Sequence, residues 1–102
     1  MRRGTTPTLT FTTPYAADLI QSGYLTFKQR GSIVLDLPLS DESIDITDNA
    51  ISVTLTQEQT LGFTAAAPAA AQIRAILTSG SAVASNIVEI PVCAILKDGE
   101  IQ

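Results

Sequence analysis

The sequence of 102 residues lacks several side chains that commonly carry chemistry. It contains no histidine, no tryptophan and a single cysteine, Cys93. Without imidazole, few side chains can exchange protons near neutral pH, so we expect no enzyme. One cysteine excludes an internal disulfide and a cysteine-rich zinc site. Its neighbours Val92 and Ala94 predict that Cys93 is a small, semi-buried apolar side chain and not a nucleophile.

Charge is also scarce, because charged residues make up 16% of the chain and the formal net charge is −4. No basic residue lies between Arg30 and Arg74. Nucleic-acid binding needs clustered Lys and Arg, so we expect no nucleic-acid partner. No apolar run approaches the ~20 residues of a membrane-spanning helix. Arg2 and Arg3 precede no apolar segment of the kind found in signal peptides, so we expect neither a signal peptide nor a membrane location.

Most of the chain alternates apolar residues with Thr, Ser or charged residues, which is typical of half-buried strands. The pairs Leu9/Phe11 and Leu25/Phe27 are predicted to point inward, as are the residues at alternate positions in the later strands. The predicted later strands are Ser32–Leu37 (Ile33, Leu35 and Leu37 inward), Ser43–Thr47, Ala50–Leu55, Gln72–Thr78, a run from Ala82, and Asn86–Leu96 (Val88, Ile90, Val92, Ala94 and Leu96 on one face).

Two segments favour short helical turns. Tyr15–Ile20 lies between Pro14 and Gly23 and suits one or two turns on the core. Thr56–Gln59 matches a capping box, and Gly62 is expected to end that turn, with Phe63 buried behind it. The segment Ala65–Ala71 stays open, because alanine favours helix while Pro68 interrupts it.

Seven to eight short strands separated by turn signals predict an all-β fold, specifically an antiparallel β-sandwich of immunoglobulin-like or jelly-roll-like type. One domain is expected at residues 8–102, preceded by an extended N-terminal arm at residues 1–7. Arg2, Arg3 and Gly4 precede the first strand, and Thr5, Thr6 and Pro7 form a polar, extended approach with no apolar anchor, so we expect the arm to add nothing to the core.

No group of residues has the composition of a catalytic, cofactor or metal site. Asp41/Glu42 and Asp45/Asp48 are the only carboxylate clusters, and no aromatic residue lies near them to hold a sugar ring. We interpret them as a solvated acidic rim. Calcium bound at Asp45–Asn49 is the weaker alternative, since no twelve-residue calcium loop is present. No small-molecule substrate or cofactor is expected.

Three arginines are candidate interaction residues. Arg2 and Arg3 lie in the arm, where bidentate contacts to carboxylates on a neighbouring copy are one interpretation and a solvated tail is the other. Arg74 lies in the middle of a predicted strand. It either contacts a partner, forms an ion pair with Glu58 or Glu89, or acts as an edge charge that blocks aggregation.

Several strings resemble small proteins encoded in the tail regions of phages and prophages of Gram-positive bacteria. These strings are Arg2–Thr8 with Phe11, Leu55–Thr60, Gln72–Arg74 and Ser85–Ile87, and the match that they mark spans most of the chain. The alanine-rich segment 65–71 departs from that pattern. The resemblance implies a non-enzymatic structural or protein-interaction role in a tail or baseplate, with self-association or other tail proteins as partners.

The same resemblance implies a location in the virion, or in the bacterial cytoplasm before assembly. The alternative function is a free-standing ligand-binding sandwich for carbohydrate or cell-surface recognition. Only Tyr15 and Tyr24 are available as aromatic platforms for a sugar, which weighs against it.

Overall fold

The computed structural model describes all residues 1–102, and the fold is an antiparallel β-sandwich, as the alternation predicted. Eight strands and one short helix follow each other along the chain. They are β1 (Thr8–Thr12), β2 (Ile20–Gln29), β3 (Ser32–Pro38), β4 (Ile44–Thr47), β5 (Ala50–Thr54), α1 (Gln57–Leu61), β6 (Ala69–Leu77), β7 (Ala82–Ala84) and β8 (Val88–Ile90). A single 3₁₀ turn, Ala17–Leu19, precedes β2 where one or two helical turns were expected.

The strands form two sheets. The small sheet has the order β1-β5-β4, and the large sheet has the order β3-β2-β6-β7, with β8 also paired to β6. All of these pairs are antiparallel. Strands β7 and β8 thus share one side of β6, separated by the residues around Ser85. Strands β1 and β4 are therefore the edges of the small sheet. In the large sheet, β3 forms one edge, and β7 and β8 together form the other.

The core lies between the two sheets and follows the predicted alternation. Leu25 and Phe27 of β2 are fully buried, as are Ile51 and Val53 of β5. Phe63 is buried as well, and its ring meets that of Phe27 edge-on, with centroids 5.8 Å apart. Contact between residues of both sheets makes this one continuous core.

The predicted inward position of Ile33 is wrong. Its side chain is 58% exposed, whereas Leu37 on the same strand is buried. The register of β2 against β3 shifts between Phe27 and Lys28, so that Phe27 faces Leu35 but Lys28 faces Ile33. An extra residue in one strand rotates everything beyond it to the other face, which turns Ile33 outward.

The last strand is much shorter than predicted. It ends at Ile90, because Pro91 has no N–H to continue the ladder. Beyond it, Val92 is buried but Leu96 is fully exposed. Val88, expected inward, is 44% exposed because it lies at the open edge of the large sheet.

The structure confirms the predicted capping box, and it shows the conformation of the alanines that the sequence left open. The Thr56 hydroxyl accepts from the Gln59 amide at 3.1 Å, and the Thr56 amide donates to the Gln59 side chain at 2.9 Å. Helix α1 ends at Gly62, as predicted. Residues 69–71 belong to strand β6, so the alanines that follow Pro68 are extended, not helical.

Candidate functional site

The Arg3 side chain holds the N-terminal arm against the end of α1. The Arg3 guanidinium donates to the carbonyl of Phe63 at 2.6 Å and to that of Leu61 at 3.1 Å, at the C-terminal end of α1. Asp98 lies 3.4 Å from the same guanidinium. A cation is favourable at a helix C-terminus, where the carbonyls have no partner in the helix. Arg3 therefore fastens the beginning of the chain to the segment after β5.

The arm is part of the sandwich. Its backbone runs beside residues 91–94, where the Cys93 amide donates to the Met1 carbonyl at 2.8 Å and the Arg3 amide donates to the Cys93 carbonyl at 3.2 Å. The Thr60 hydroxyl donates to the Thr5 carbonyl at 2.9 Å, and Met1 packs on the core. The expectation that the arm adds nothing to the core is wrong, because Met1 packs against the core and backbone hydrogen bonds hold the arm to residues far along the chain.

Both arginines of the arm thus donate hydrogen bonds to backbone carbonyls of the same chain. Arg3 makes the contacts described above, with a side chain that is 22% exposed. Arg2 is exposed and donates to the Ala94 carbonyl at 2.6 Å.

Cys93 lies in the segment beside the arm, and its side chain is exposed to solvent. The prediction that Cys93 is semi-buried is therefore wrong.

Replacing Arg3 with alanine is expected to lower the free energy of unfolding by about 2 kcal/mol, because hydrogen bonds from a charged donor contribute about 1.5–3 kcal/mol. Urea denaturation followed by circular dichroism measures the change. Arg2→Ala is the matched control and is expected to cost less than about 1 kcal/mol, since its single bond lies in solvent. Equal effects of the two substitutions would contradict the structural role of Arg3.

Arg74 is the one candidate arginine with no role inside the fold. Its side chain is exposed and makes no hydrogen bond or ion pair, so the predicted pairs with Glu58 and Glu89 do not form. It also lies on an inner strand of the large sheet, between β2 and β7, and hence is not an edge charge. Among the three interpretations of Arg74, contact with a partner remains as a proposal.

Tyr24 is the direct cross-strand partner of Arg74, and its side chain is 54% exposed. Ile76, two residues beyond Arg74 on the same face, is 39% exposed. We call these three side chains the Tyr24–Arg74 patch. It borders a shallow depression of about 150 Å³ on the outer face of the large sheet.

Gly23 positions this patch. A Cβ atom at Gly23 would lie 2.3 Å from the Arg74 carbonyl oxygen, which no side chain tolerates. Only glycine therefore lets β2 and β6 approach so closely beside the patch. The sequence did not reveal that Tyr24 lies opposite Arg74, because alternation indicates a face but not which residues of two strands lie opposite each other.

A second surface is a groove of about 660 Å³ at one side of the sandwich. It runs between the free edge of β1 and the free edge formed by β7 and β8. No charged residue lines it: the lining comprises Thr8–Thr12, Pro14, Ala84, Ser85, Asn86, Val88 and Ile90. We call it the seam groove. It offers two unpaired strand edges on either side of a partly apolar floor.

Residues Ser85–Ile87, which we call the Ser85 segment, lie between β7 and β8 and contribute Ser85 and Asn86 to the lining of the seam groove. The Ser85 amide donates to the Ile73 carbonyl at 2.8 Å, and the Ser85 hydroxyl accepts from the Ile73 amide at 3.0 Å. The Gln72 side chain adds a bond to the Ser85 carbonyl at 2.9 Å. These bonds connect the chain to β6 in the gap between the β6–β7 and β6–β8 ladders, and Ile87 is exposed beside them.

The acidic rim shows local contacts. The Asp41 carboxylate accepts from the hydroxyl and the amide of Ser43, and these bonds hold the pKa of Asp41 below its usual value. Asp45 lies on β4 opposite Ser52, on the outer face of the small sheet. No group of three or more Cys, Asp or Glu side chains is arranged to hold a metal ion.

Fold and surfaces together define a small antiparallel sandwich with one open seam and one arginine–tyrosine patch. Neither a protein-family model nor a curated protein or solved structure matches the chain. None of its helices has the length and apolar character needed to cross a membrane.

Proposed function

We propose that this chain is a non-enzymatic structural component of a phage or prophage tail or baseplate, which binds other protein subunits. The seam groove carries the proposal. An extended segment of another protein adds to a free sheet edge through main-chain hydrogen bonds, and a groove with an edge on each side offers two such ladders. The tail context comes from the resemblance of the strings that build the arm, α1 and the Ser85 segment.

The lining of the seam groove also indicates which kind of peptide segment can bind there. Thr8, Thr10 and Thr12 alternate with Leu9 and Phe11 along β1, and the lining holds no charge. An inserted strand therefore needs small or apolar side chains toward the floor and no charge there, because an unpaired buried charge is costly. A strand of five residues spans about 17 Å, which matches the length of β1.

Val88→Lys tests this function. Lysine at this position places a charge in the seam groove, and we expect at least about tenfold less of the variant in purified tail particles, since an uncompensated buried charge costs more than the ~1.4 kcal/mol that corresponds to tenfold. Quantitative mass spectrometry of particles from the strain that encodes the chain measures incorporation.

Ile33→Lys is the matched control. Ile33 is also an exposed apolar residue of a sheet edge, but it lies on β3, away from the seam groove. Both variants are first shown to fold by circular dichroism. Absence of the parent chain from the particles would contradict the tail assignment, whereas equal incorporation of both variants would contradict the role of the seam groove.

The exposed Tyr24 favours a second candidate, a carbohydrate- or surface-binding sandwich. An aromatic ring beside a guanidinium can stack on a sugar and donate hydrogen bonds to its hydroxyls. A glycan array with the parent chain and with Tyr24→Ala tests this candidate. Specific binding that the substitution abolishes would rank it first.

A further inference from the structure

The Tyr24–Arg74 patch has the chemistry of the centre of a protein interface. Tyrosine and arginine are enriched at such centres, while charge is otherwise depleted there. Within the chain the Arg74 guanidinium has no acceptor. When a partner covers Arg74, the guanidinium loses its hydration. Unless the partner provides a carboxylate to pair with it, this desolvation costs more free energy than the contact provides. The partner therefore brings a carboxylate surrounded by apolar or neutral surface.

Other charged groups on this outer face do not satisfy Arg74. The Asp36 carboxylate accepts from the Thr26 hydroxyl at 2.7 Å. Glu89 lies opposite Ala70, four residues along β6 from Arg74. Lys28 is also opposite Ala70, near Glu89 and not near the patch. Arg74 thus has no ion-pair partner on this outer face, and the other two side chains of the patch, Tyr24 and Ile76, carry no charge.

The edge strand β4 carries the complementary chemistry. Asp45 is exposed on its outer face, between the half-buried Ile44 and Ile46. Asp41, Glu42 and Asp48 flank the strand, and none of these carboxylates forms an ion pair. Strand β4 pairs with β5 on one side only, so its other edge is free.

Within one copy of the chain, the Tyr24–Arg74 patch cannot contact the β4 edge. The Tyr24–Arg74 patch faces away from the small sheet, and Asp45 faces away from the large sheet, because each lies on the outer side of its own layer. Building on the function proposed above, we propose that the patch of one copy docks on the β4 edge of a second copy, with Arg74 paired to Asp45. Such a contact joins unlike surfaces, so it repeats head to tail into a ring or a filament.

Sedimentation equilibrium tests the contact. We expect the parent chain to self-associate, and the association to weaken as salt is added, because salt screens the charge pair. Arg74→Glu alone and Asp45→Lys alone are each expected to weaken association by roughly 30-fold, the effect of losing one central interface residue. The double variant Arg74→Glu with Asp45→Lys restores the pair with reversed signs and is expected to regain most of the affinity.

Lys28→Glu is the matched control, since it reverses an exposed charge on the same outer face but outside the patch, and it is expected to change nothing. Circular dichroism confirms that each variant is folded. A double variant as weak as the single ones would overturn the pairing of Arg74 with Asp45, and so would a parent chain that is monomeric at every concentration. A monomeric chain that is still present in tail particles would overturn this contact and leave the tail function standing. A chain that self-associates but is absent from the particles would overturn the tail function and leave this contact standing.

Discussion

Val53→Asp is expected to unfold most of the protein or to reduce its stability by roughly 3–5 kcal/mol, the usual cost of an uncompensated charge in a core. Val53 is fully buried in the middle of β5, between β1 and β4, and belongs to the apolar core cluster. Typical domains have only about 5–15 kcal/mol of stability in total. Thermal melting and urea denaturation measure the loss.

Thr54→Asp is the matched control for this substitution. Thr54 follows Val53 on the strand but is exposed, and its hydroxyl shares a hydrogen bond of 2.9 Å with that of Thr8. We expect a cost below about 1 kcal/mol there, since the carboxylate remains in water. A Val53→Asp variant that melted at the temperature of the Thr54→Asp variant would show that this face of β5 is not the core.

Gln29→Met is expected to lower the free energy of unfolding by about 2–4 kcal/mol. The Gln29 side chain is buried, and its amide donates to the carbonyls of Thr64 and Ala67, both at 2.8 Å, while its oxygen accepts from the Thr64 amide at 2.8 Å. Methionine keeps the length of the side chain but removes all of these bonds, each worth about 0.5–1.5 kcal/mol. Urea denaturation gives the difference.

Gln72→Met provides the comparison, because the Gln72 side chain is half-exposed and makes one bond, to the Ser85 carbonyl. We expect a cost of about 1 kcal/mol or less. Faster hydrogen exchange at the Thr64 amide in Gln29→Met, but not in Gln72→Met, would locate the loss in the loop after α1. Unchanged exchange and unchanged stability would mean that Gln29 does not hold this loop.

Period-2 alternation was sufficient to predict the sandwich and the buried faces of β2 and β5. It failed where local geometry broke the period. The bulge beside Lys28 turns Ile33 outward, and no residue in Ser32–Leu37 signals a bulge. Pro91 was a visible signal for the end of β8, but the apolar residues beyond it suggested a continuing strand. Burial of a polar side chain such as Gln29 depends on a loop more than thirty residues away, which no local pattern reveals.

The candidate surfaces were predictable only in part. Arg74 stood out because basic residues are rare, and its face followed from its strand. Its pairing with Tyr24 depends on the register between strands that lie about fifty residues apart, and the seam groove depends on which strands remain unpaired. The contacts of Arg2 and Arg3 within the fold were not predictable for a related reason: their acceptors are backbone carbonyls, which occur in every sequence and produce no pattern.

The interleaved pairing of strands shapes how the chain folds. Strand β1 pairs with β5 and β2 pairs with β6, so neither pairing closes inside the other. Three hairpins, β2–β3, β4–β5 and β6–β7, join neighbours in sequence. During synthesis the hairpins β2–β3 and β4–β5 can form early and β1 can complete the small sheet, but the large sheet stays incomplete until β6, β7 and β8 have left the ribosome. Because distant pairings must overcome loop-closure entropy, this topology belongs among the slow-folding β proteins, with times of milliseconds to seconds.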